Sequence, residues 1–185
     1  ANESHIRDSL VFNFENTAAL SYFTDSVKFS AQLDSTIIYS KDLALFAPSL
    51  YQFDDYYRLS GNLSGMVKDL SIKDMRLNFG QNSLLQGQLS FEGLPNIQET
   101  FIAGNLSKAN IVPADVKKYV NPDIYKQVEK LGAVNLTGRF VGFPNDFVAN
   151  GTFYTEIGNV ISDINLKIDE TTQKSYYSGK ISTQN

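Results

Sequence analysis

From about Phe79 to Ile168 an apolar residue recurs at every second position, and the positions between carry Ser, Asn, Gln, Lys, Asp or Thr. Leu85, Gly87, Leu89 and Phe91 share one parity against Gln86, Gln88 and Ser90. Val134, Leu136, Gly138 and Phe140 repeat the rule, as do Phe147, Ala149, Gly151 and Phe153, and then Ile164, Leu166 and Ile168. Successive side chains of a strand point to opposite faces, so each segment has one apolar face and one wet face. A period of two sustained this long commits the chain to β structure with a long apolar surface.

The N-terminal part carries three candidate strands: Leu10, Phe12 and Phe14; Val27, Phe29, Ala31 and Leu33; and Ser35, Ile37 and Tyr39, with Tyr22 and Phe23 near a turn. Ser40 ahead of an apolar stripe (Leu43, Phe46, Ala47), with Pro48 behind it, predicts a short helix over 41–47 with a Ser N-cap. Leu59, Gly61, Leu63, Gly65 and Val67 then share one parity, and Leu70 and Ile72 open the next strand. Met75, Leu77 and Phe79 follow on the opposite parity, which demands a bulge, placed at Lys73-Asp74. Gly80-Gln81-Asn82 reads as a turn, and a strand of poorer pattern covers Thr100 to Leu106.

A helical insert over about 113–131 begins at Pro113, a favoured first-turn residue. Asn121-Pro122 divides it into helices at about 113–120, lined by Val116 and Val120, and 122–131, lined by Ile124, Val128 and Leu131, with Gly132 as a left-handed cap. Strands at about 133–142, 147–157, 160–169 and 176–182 follow. Asn150-Gly151 is a hairpin dipeptide, yet it sits in mid-alternation and is read as strand. Connections are short and helices too few for parallel crossovers. The expectation is a mainly β fold: one antiparallel curled sheet of about eleven strands with two or three short helices, residues 1–185 forming a single segment.

The 185 residues are 42% hydrophobic and 19% charged, as in an ordinary globular domain or a large piece of a longer protein. A net charge of −4 and sixteen scattered Lys and Arg argue against nucleic acid as a partner. No apolar run approaches the roughly 20 residues that span a bilayer, and no signal peptide is visible. A start without Met and an end just after a strand pattern lead us to expect an excised segment of a larger protein. Zero Cys excludes disulfides and thiolate chemistry and fits an oxidising compartment.

Groups for catalysis are scarce. The one histidine, His5, lies near a terminus expected to fray and cannot build a triad or a two-His metal site. Asp54-Asp55 and Asp169-Glu170 are better explained as solvated turns than as paired acids. Calcium-loop and phosphate-loop motifs are absent. No catalytic residue, metal ligand or cofactor is expected. Glycosylation sequons at Asn62, Asn105, Asn135 and Asn150 arise readily from strands with Asn, Ser and Thr on the wet face. Gly61, Gly65, Gly87, Gly138, Gly142 and Gly151 sit on the apolar parity, where they mark bends and tight packing or, alternatively, a groove floor kept clear. Tyr56-Tyr57 and Tyr176-Tyr177 put one ring on each face, which leaves sugar stacking open.

The passage Leu59-Ser-Gly-Asn-Leu-Ser-Gly-Met-Val-Lys-Asp-Leu-Ser-Ile-Lys-Asp-Met-Arg-Leu-Asn-Phe-Gly resembles the TamB group of AsmA-like proteins, especially those of Bacteroidetes. So do Leu89-Ser-Phe-Glu-Gly-Leu-Pro-Asn-Ile, Leu131-Gly-Ala-Val-Asn-Leu-Thr-Gly-Arg-Phe-Val-Gly-Phe-Pro-Asn-Asp-Phe and, upstream, Tyr39-Ser-Lys-Asp-Leu-Ala-Leu-Phe-Ala-Pro. The likeness runs from about 28 to 182 and rests on patterns of strands and turns. It implies an envelope protein anchored in the inner membrane, with a periplasmic body curled into an open gutter (a β-taco) whose inside is apolar. It also implies phospholipid transport between membranes and outer-membrane biogenesis with an outer-membrane assembly partner. No catalytic residues come with it.

The residues agree with that mechanism. An acyl chain crossing water costs about 0.8 kcal/mol per methylene, so a dozen cost on the order of 10 kcal/mol, and a continuous aliphatic trough removes that cost. The expected lining is Leu63, Val67, Leu77, Phe79, Leu85, Leu89, Phe91, Leu136, Phe140, Phe153, Ile164, Leu166 and Ile168, with the helices around Val116 and Val128 capping the gutter. The expected partner is a phospholipid or other acyl-chain lipid. A scaffold that guides outer-membrane strands by edge addition is the second reading, a carbohydrate- or surface-binding β-sandwich the third, and an enzyme the last. Free edges also make an edge-strand dimer of the segment an expectation.

Overall fold

The computed structural model describes residues 4–5, 9–44, 48–120, 122–169 and 174–184. The strands are β1 (Leu10–Asn13), β2 (Lys28–Tyr39), β3 (Tyr56–Met66), β4 (Asp69–Phe79), β5 (Ser83–Glu92), β6 (Phe101–Ile111), β7 (Val134–Phe143), β8 (Asp146–Thr155), β9 (Gly158–Asp169) and β10 (Lys174–Gln184). They form one antiparallel sheet in chain order, each strand pairing with the next. The sheet is open: β1 and β10 are its edges. Four short helices accompany it: α1 (Phe23–Ser26), α2 (Ser40–Leu43), α3 (Pro113–Val116) and α4 (Pro122–Lys130).

Among the described residues there are ten strands where the alternation predicted about eleven, because the second and third candidates are one. Register runs from Leu33↔Gly61 directly to Thr36↔Leu59, so Asp34-Ser35 bulges out of β2, with Ser35 at φ 54. The bulge changes the parity. Leu33, Thr36 and Ile38 therefore share a face, and the Ile37 and Tyr39 of the supposed third strand point to the other. The bulge expected at Lys73-Asp74 is present: β4–β5 register shifts from Ile72↔Leu89 to Met75↔Gly87, and Asp74 has φ 52. A further shift between Leu106 and Ala109 lets β6 run on to Ile111, beyond the predicted end.

α4 matches the expected 122–131 to within a residue, but the other two expected helices are shorter than predicted. α2 stops at Leu43, and Phe46 and Ala47 lie outside the described residues. Ser40 is its first helical residue and Tyr39 the cap position. The Ser40 hydroxyl instead donates to the Phe53 carbonyl and accepts from the Asp55 N–H, both 3.0 Å or less, so it ties the β2 exit to the β3 entry. α3 ends at Val116. Gly132 has φ 65, the left-handed cap expected of it; the Ile124 side chain lies outside the described residues. The terminus is not frayed at Ser4–His5: His5 exchanges both backbone hydrogen bonds with Ile37, at 2.8 and 3.2 Å.

Even-numbered strands run toward one end of the sheet, called the upper end, which carries α2, the turn at 80–82, the insert of α3 and α4, and the turn at 156–157. α1 lies at the lower end, where Lys68 N–H reaches the Thr24 carbonyl at 3.3 Å and Lys68 pairs with Asp25 at 3.0 Å. The accessible surface is 11799 Å², against about 8900 Å² for a compact protein of this mass. The buried apolar core is correspondingly small. It consists of Ala31, Leu33, Ile72, Met75, Ala109 and Val134 across β2 to β7, with Val27 and Val67 at the lower end and Tyr39 at the upper end.

Candidate functional site: an uncovered apolar face

Residues directly opposite in an antiparallel pair share a face, so the registers assemble the site. Leu63 faces Ile72, and Ile72 faces Leu89. Leu89 faces Gly104, and Gly104 faces Phe140. Phe140 faces Ala149, Ala149 faces Ile164 and Ile164 faces Gly179. A parallel row runs from Leu59 through Leu77, Leu85 and Ala109 to Leu136, Phe153 and Val160. The apolar parities of all ten strands therefore fall on one side.

Twelve of the thirteen predicted lining residues lie there: Leu63, Leu77, Phe79, Leu85, Leu89, Phe91, Leu136, Phe140, Phe153, Ile164, Leu166 and Ile168. None of the twelve is buried; Ile168 is exposed and the other eleven are half-buried. On the same face Ala31, Leu33, Thr36, Ile72, Met75, Ala109 and Val134 are buried, so the protein covers part of this side and leaves the rest half-open. Val67 is the exception. Met66 pairs with Asp69, which closes the hairpin, so Val67 sits in the two-residue turn and is 3% exposed beside α1. It supports the lower end and lines nothing.

Several lining residues were missed. Leu59, Ile102, Leu106, Phe147 and Val160 belong to the same face, and for Leu59 and Phe147 the parity shared with Leu63 and Phe153 could have found them. The opposite face is less uniformly wet than the alternation implied. Val141 opposes Val148 there, Phe143 packs edge-on against Phe101 at 5.5 Å, and Ile161 is 40% exposed.

Glycines shape the apolar face. Gly138 and Gly151 oppose each other, and a Cβ on Gly138 would lie 2.4 Å from the Asn150 carbonyl oxygen. The close backbone approach leaves no room for side chains on the apolar side of β7–β8 at this point. The tight-packing reading fits this pair, and Asn150-Gly151 is mid-strand as expected.

The insert pins itself across the upper end. Asp115 accepts hydrogen bonds from the N–H groups of Gln81, Asn82 and Ser83 and from the Ser83 hydroxyl, at 2.8–3.0 Å. Burial by itself raises the Asp115 pKa, but those four donors outweigh it and hold the carboxyl below its ordinary value. Three strands over from β6, Lys118 pairs with Asp55, and the Tyr119 hydroxyl donates to Asp55 at 2.7 Å while lying 3.1 Å from the Tyr57 hydroxyl. Burial and the bond donated to Asp55 raise the Tyr119 pKa strongly. Leu131 accepts from the Glu156 N–H, which returns the insert to the β8–β9 turn. Val116 and Val128 are half-buried, and the insert bridges β3 and β6 at one mouth of the apolar face.

Among the described residues no group of three His, Asp or Glu is placed to hold a metal ion, and no helix is long and apolar enough to cross a membrane. The fold and the site define a class: an open antiparallel meander with an uncovered apolar face, braced at one end by a helical strap. In comparisons with known proteins, no family model, no curated protein and no solved structure matches the chain.

Proposed function

We propose that the chain is a non-enzymatic segment of an AsmA- or TamB-like periplasmic protein, and that its apolar face receives the acyl chain of a phospholipid or related lipid. The observation that supports this reading is the row of twelve lining residues that share one face and are half-buried or exposed. Nine interstrand spacings of about 4.8 Å give that face a run of about 40 Å, longer than the roughly 30 Å hydrocarbon core of a bilayer. Its lining is aliphatic and aromatic, without hydrogen-bonding pockets that would hold a headgroup in a deep well, and smoothness of this kind favours passage over storage. The parent would bridge inner and outer membranes in outer-membrane biogenesis, with the insert as a strap at one mouth.

Native mass spectrometry of protein purified from membranes, together with lipid extraction, tests the reading. Bound lipid is expected in the wild type and absent from Leu89→Asp and Phe153→Asp variants that retain their β circular dichroism. Lipid-free protein in every preparation contradicts it.

A second reading has its own observation. β10 is an eleven-residue edge strand whose Tyr177 and Ile181 are 76% and 68% exposed, and such an edge suits strand addition by an outer-membrane protein or by a second copy. Crosslinks from Ile181 to unfolded outer-membrane substrate would select it. A sandwich module for carbohydrate requires a second sheet, and the ten strands here form one.

A further inference from the structure

The polar face holds a second feature, at the upper end of β2, β3 and β4. A cavity of about 680 Å³ opens there, lined by Ser35, Tyr56, Arg58, Ser60, Arg76 and Asn78 and floored by the turn that follows β4. This volume lies within the range of small-molecule sites. Register pairs Arg58 with Asn78 and Ser60 with Arg76, so the two arginines are diagonal neighbours on one face, roughly 7–8 Å apart at the backbone.

Among the described residues no carboxylate pairs with either arginine, whereas ion pairs engage Lys41, Lys68, Lys118 and Lys167. Among the described residues no Asp or Glu lines the cavity, although the protein as a whole carries −4. Carboxylates near the lining residues in the chain are engaged elsewhere: Asp54 with Lys41, Asp55 with Lys118 and Tyr119, and Asp74 with the Asn62 amide. Asp115 lies behind the turn with its four donors, and Asp34 accepts from the Ser35 hydroxyl. The Ser35 N–H donates to the Ser60 oxygen at 2.9 Å, which leaves the Ser60 proton to donate into the cavity. Asn78 adds a carboxamide with two N–H donors.

We infer that Arg58 and Arg76, with Ser60 and Asn78, form a binding site for a phosphomonoester. Guanidinium forks match the oxygens of phosphate and carboxylate alike. Charge decides between them: two fixed cations balance a phosphomonoester at about −1.5 to −2, while a carboxylate neutralises one and leaves the other unmet. The phosphate group can belong to a soluble metabolite or to the headgroup of phosphatidic acid. Arg58, Ser60, Arg76 and Asn78 lie on the face opposite the apolar row, although Phe79 of that row also borders the cavity, and their proposed role does not depend on the lipid reading.

The test uses the 185-residue chain, glycerol 3-phosphate as the soluble probe and phosphatidylcholine vesicles with or without phosphatidic acid as the membrane probe. Calorimetry reads the first and co-sedimentation the second, for wild type, for Arg58→Gln/Arg76→Gln, and for Arg139→Gln, which removes a like charge from the same face at β7. The expected result is saturable binding to at least one probe, weakened about tenfold or more in the double variant and unchanged in Arg139→Gln. Binding to glycerol 3-phosphate alone identifies a soluble ligand, and binding only to vesicles with phosphatidic acid identifies a headgroup. Absence of saturable binding to both, or equal weakening by Arg139→Gln, overturns the site.

Discussion

The Tyr119 hydroxyl, on the insert beyond α3, lies 3.1 Å from that of Tyr57 in β3, sixty-two positions earlier. Since Tyr119 gives its only proton to Asp55 at 2.7 Å, Tyr57 is the donor between the two phenols. This chain of hydroxyls fastens the strap to β3. Tyr119→Phe is expected to cost about 1–2 kcal/mol and to speed amide exchange across 113–120 while the strands stay protected. Because the folded pKa of Tyr119 is raised, the native state holds its proton while unfolded tyrosines ionise near about 10. Stability conferred by this group is present below that pH and lost above it. Urea titrations from neutral to alkaline pH should show a shallower alkaline decline in the variant.

Asp115 gives the opposite dependence. Its folded pKa is depressed, so its contribution is full above the ordinary aspartate value of about 3.9 and falls as pH drops through the folded value. Asp115→Asn puts an N–H₂ against N–H donors and is expected to cost about 2 kcal/mol at neutral pH, with a weaker acid dependence than wild type. Gly80→Ala should act similarly, because its Cβ would lie 2.2 Å from the Asp115 carboxyl carbon at a φ of 60. Chemical denaturation at pH 7 and at pH 2 checks both.

Gly138→Val tests the close approach of β7 and β8. The clash with the Asn150 carbonyl forces the strands apart, at an expected cost of about 3 kcal/mol and a Tm fall of about 6–12 °C. An unchanged Tm would mean that β7 and β8 are not so closely paired at this point.

Thr36 is fully buried on the apolar face, and its hydroxyl has no partner among the described residues. Thr36→Val keeps the shape and removes the unmet oxygen. A gain of about 1 kcal/mol is expected from denaturant unfolding.

Alternation made the apolar face legible because parity survives within each strand. It failed where something local reset it. The Asp34-Ser35 bulge depends on a serine at φ 54, which no residue type announces, and it turned one strand into two candidates. Val67 continues the parity of Leu63 and Gly65, but a two-residue hairpin takes it out of the strand. Arg58 and Arg76 lie eighteen positions apart and carry no shared signal in the sequence; they become neighbours only through the β3–β4 register, which itself shifts between Ser60 and Asn62. The outward Val141, Phe143 and Val148 were passed over because the inward residues of the same strands already satisfied the pattern.

The central claim is that acyl chains occupy the side carrying Leu63, Leu89, Phe153 and Ile164. Methyl-labelled protein titrated with a spin-labelled fatty acid tests it most directly. Broadening should fall on the methyls of Leu63, Leu89, Leu136 and Ile164 and spare those of Ile37, Val141, Val148 and Ile161 on the opposite face. Equal broadening of both sets, or none at saturating lipid, would contradict the account.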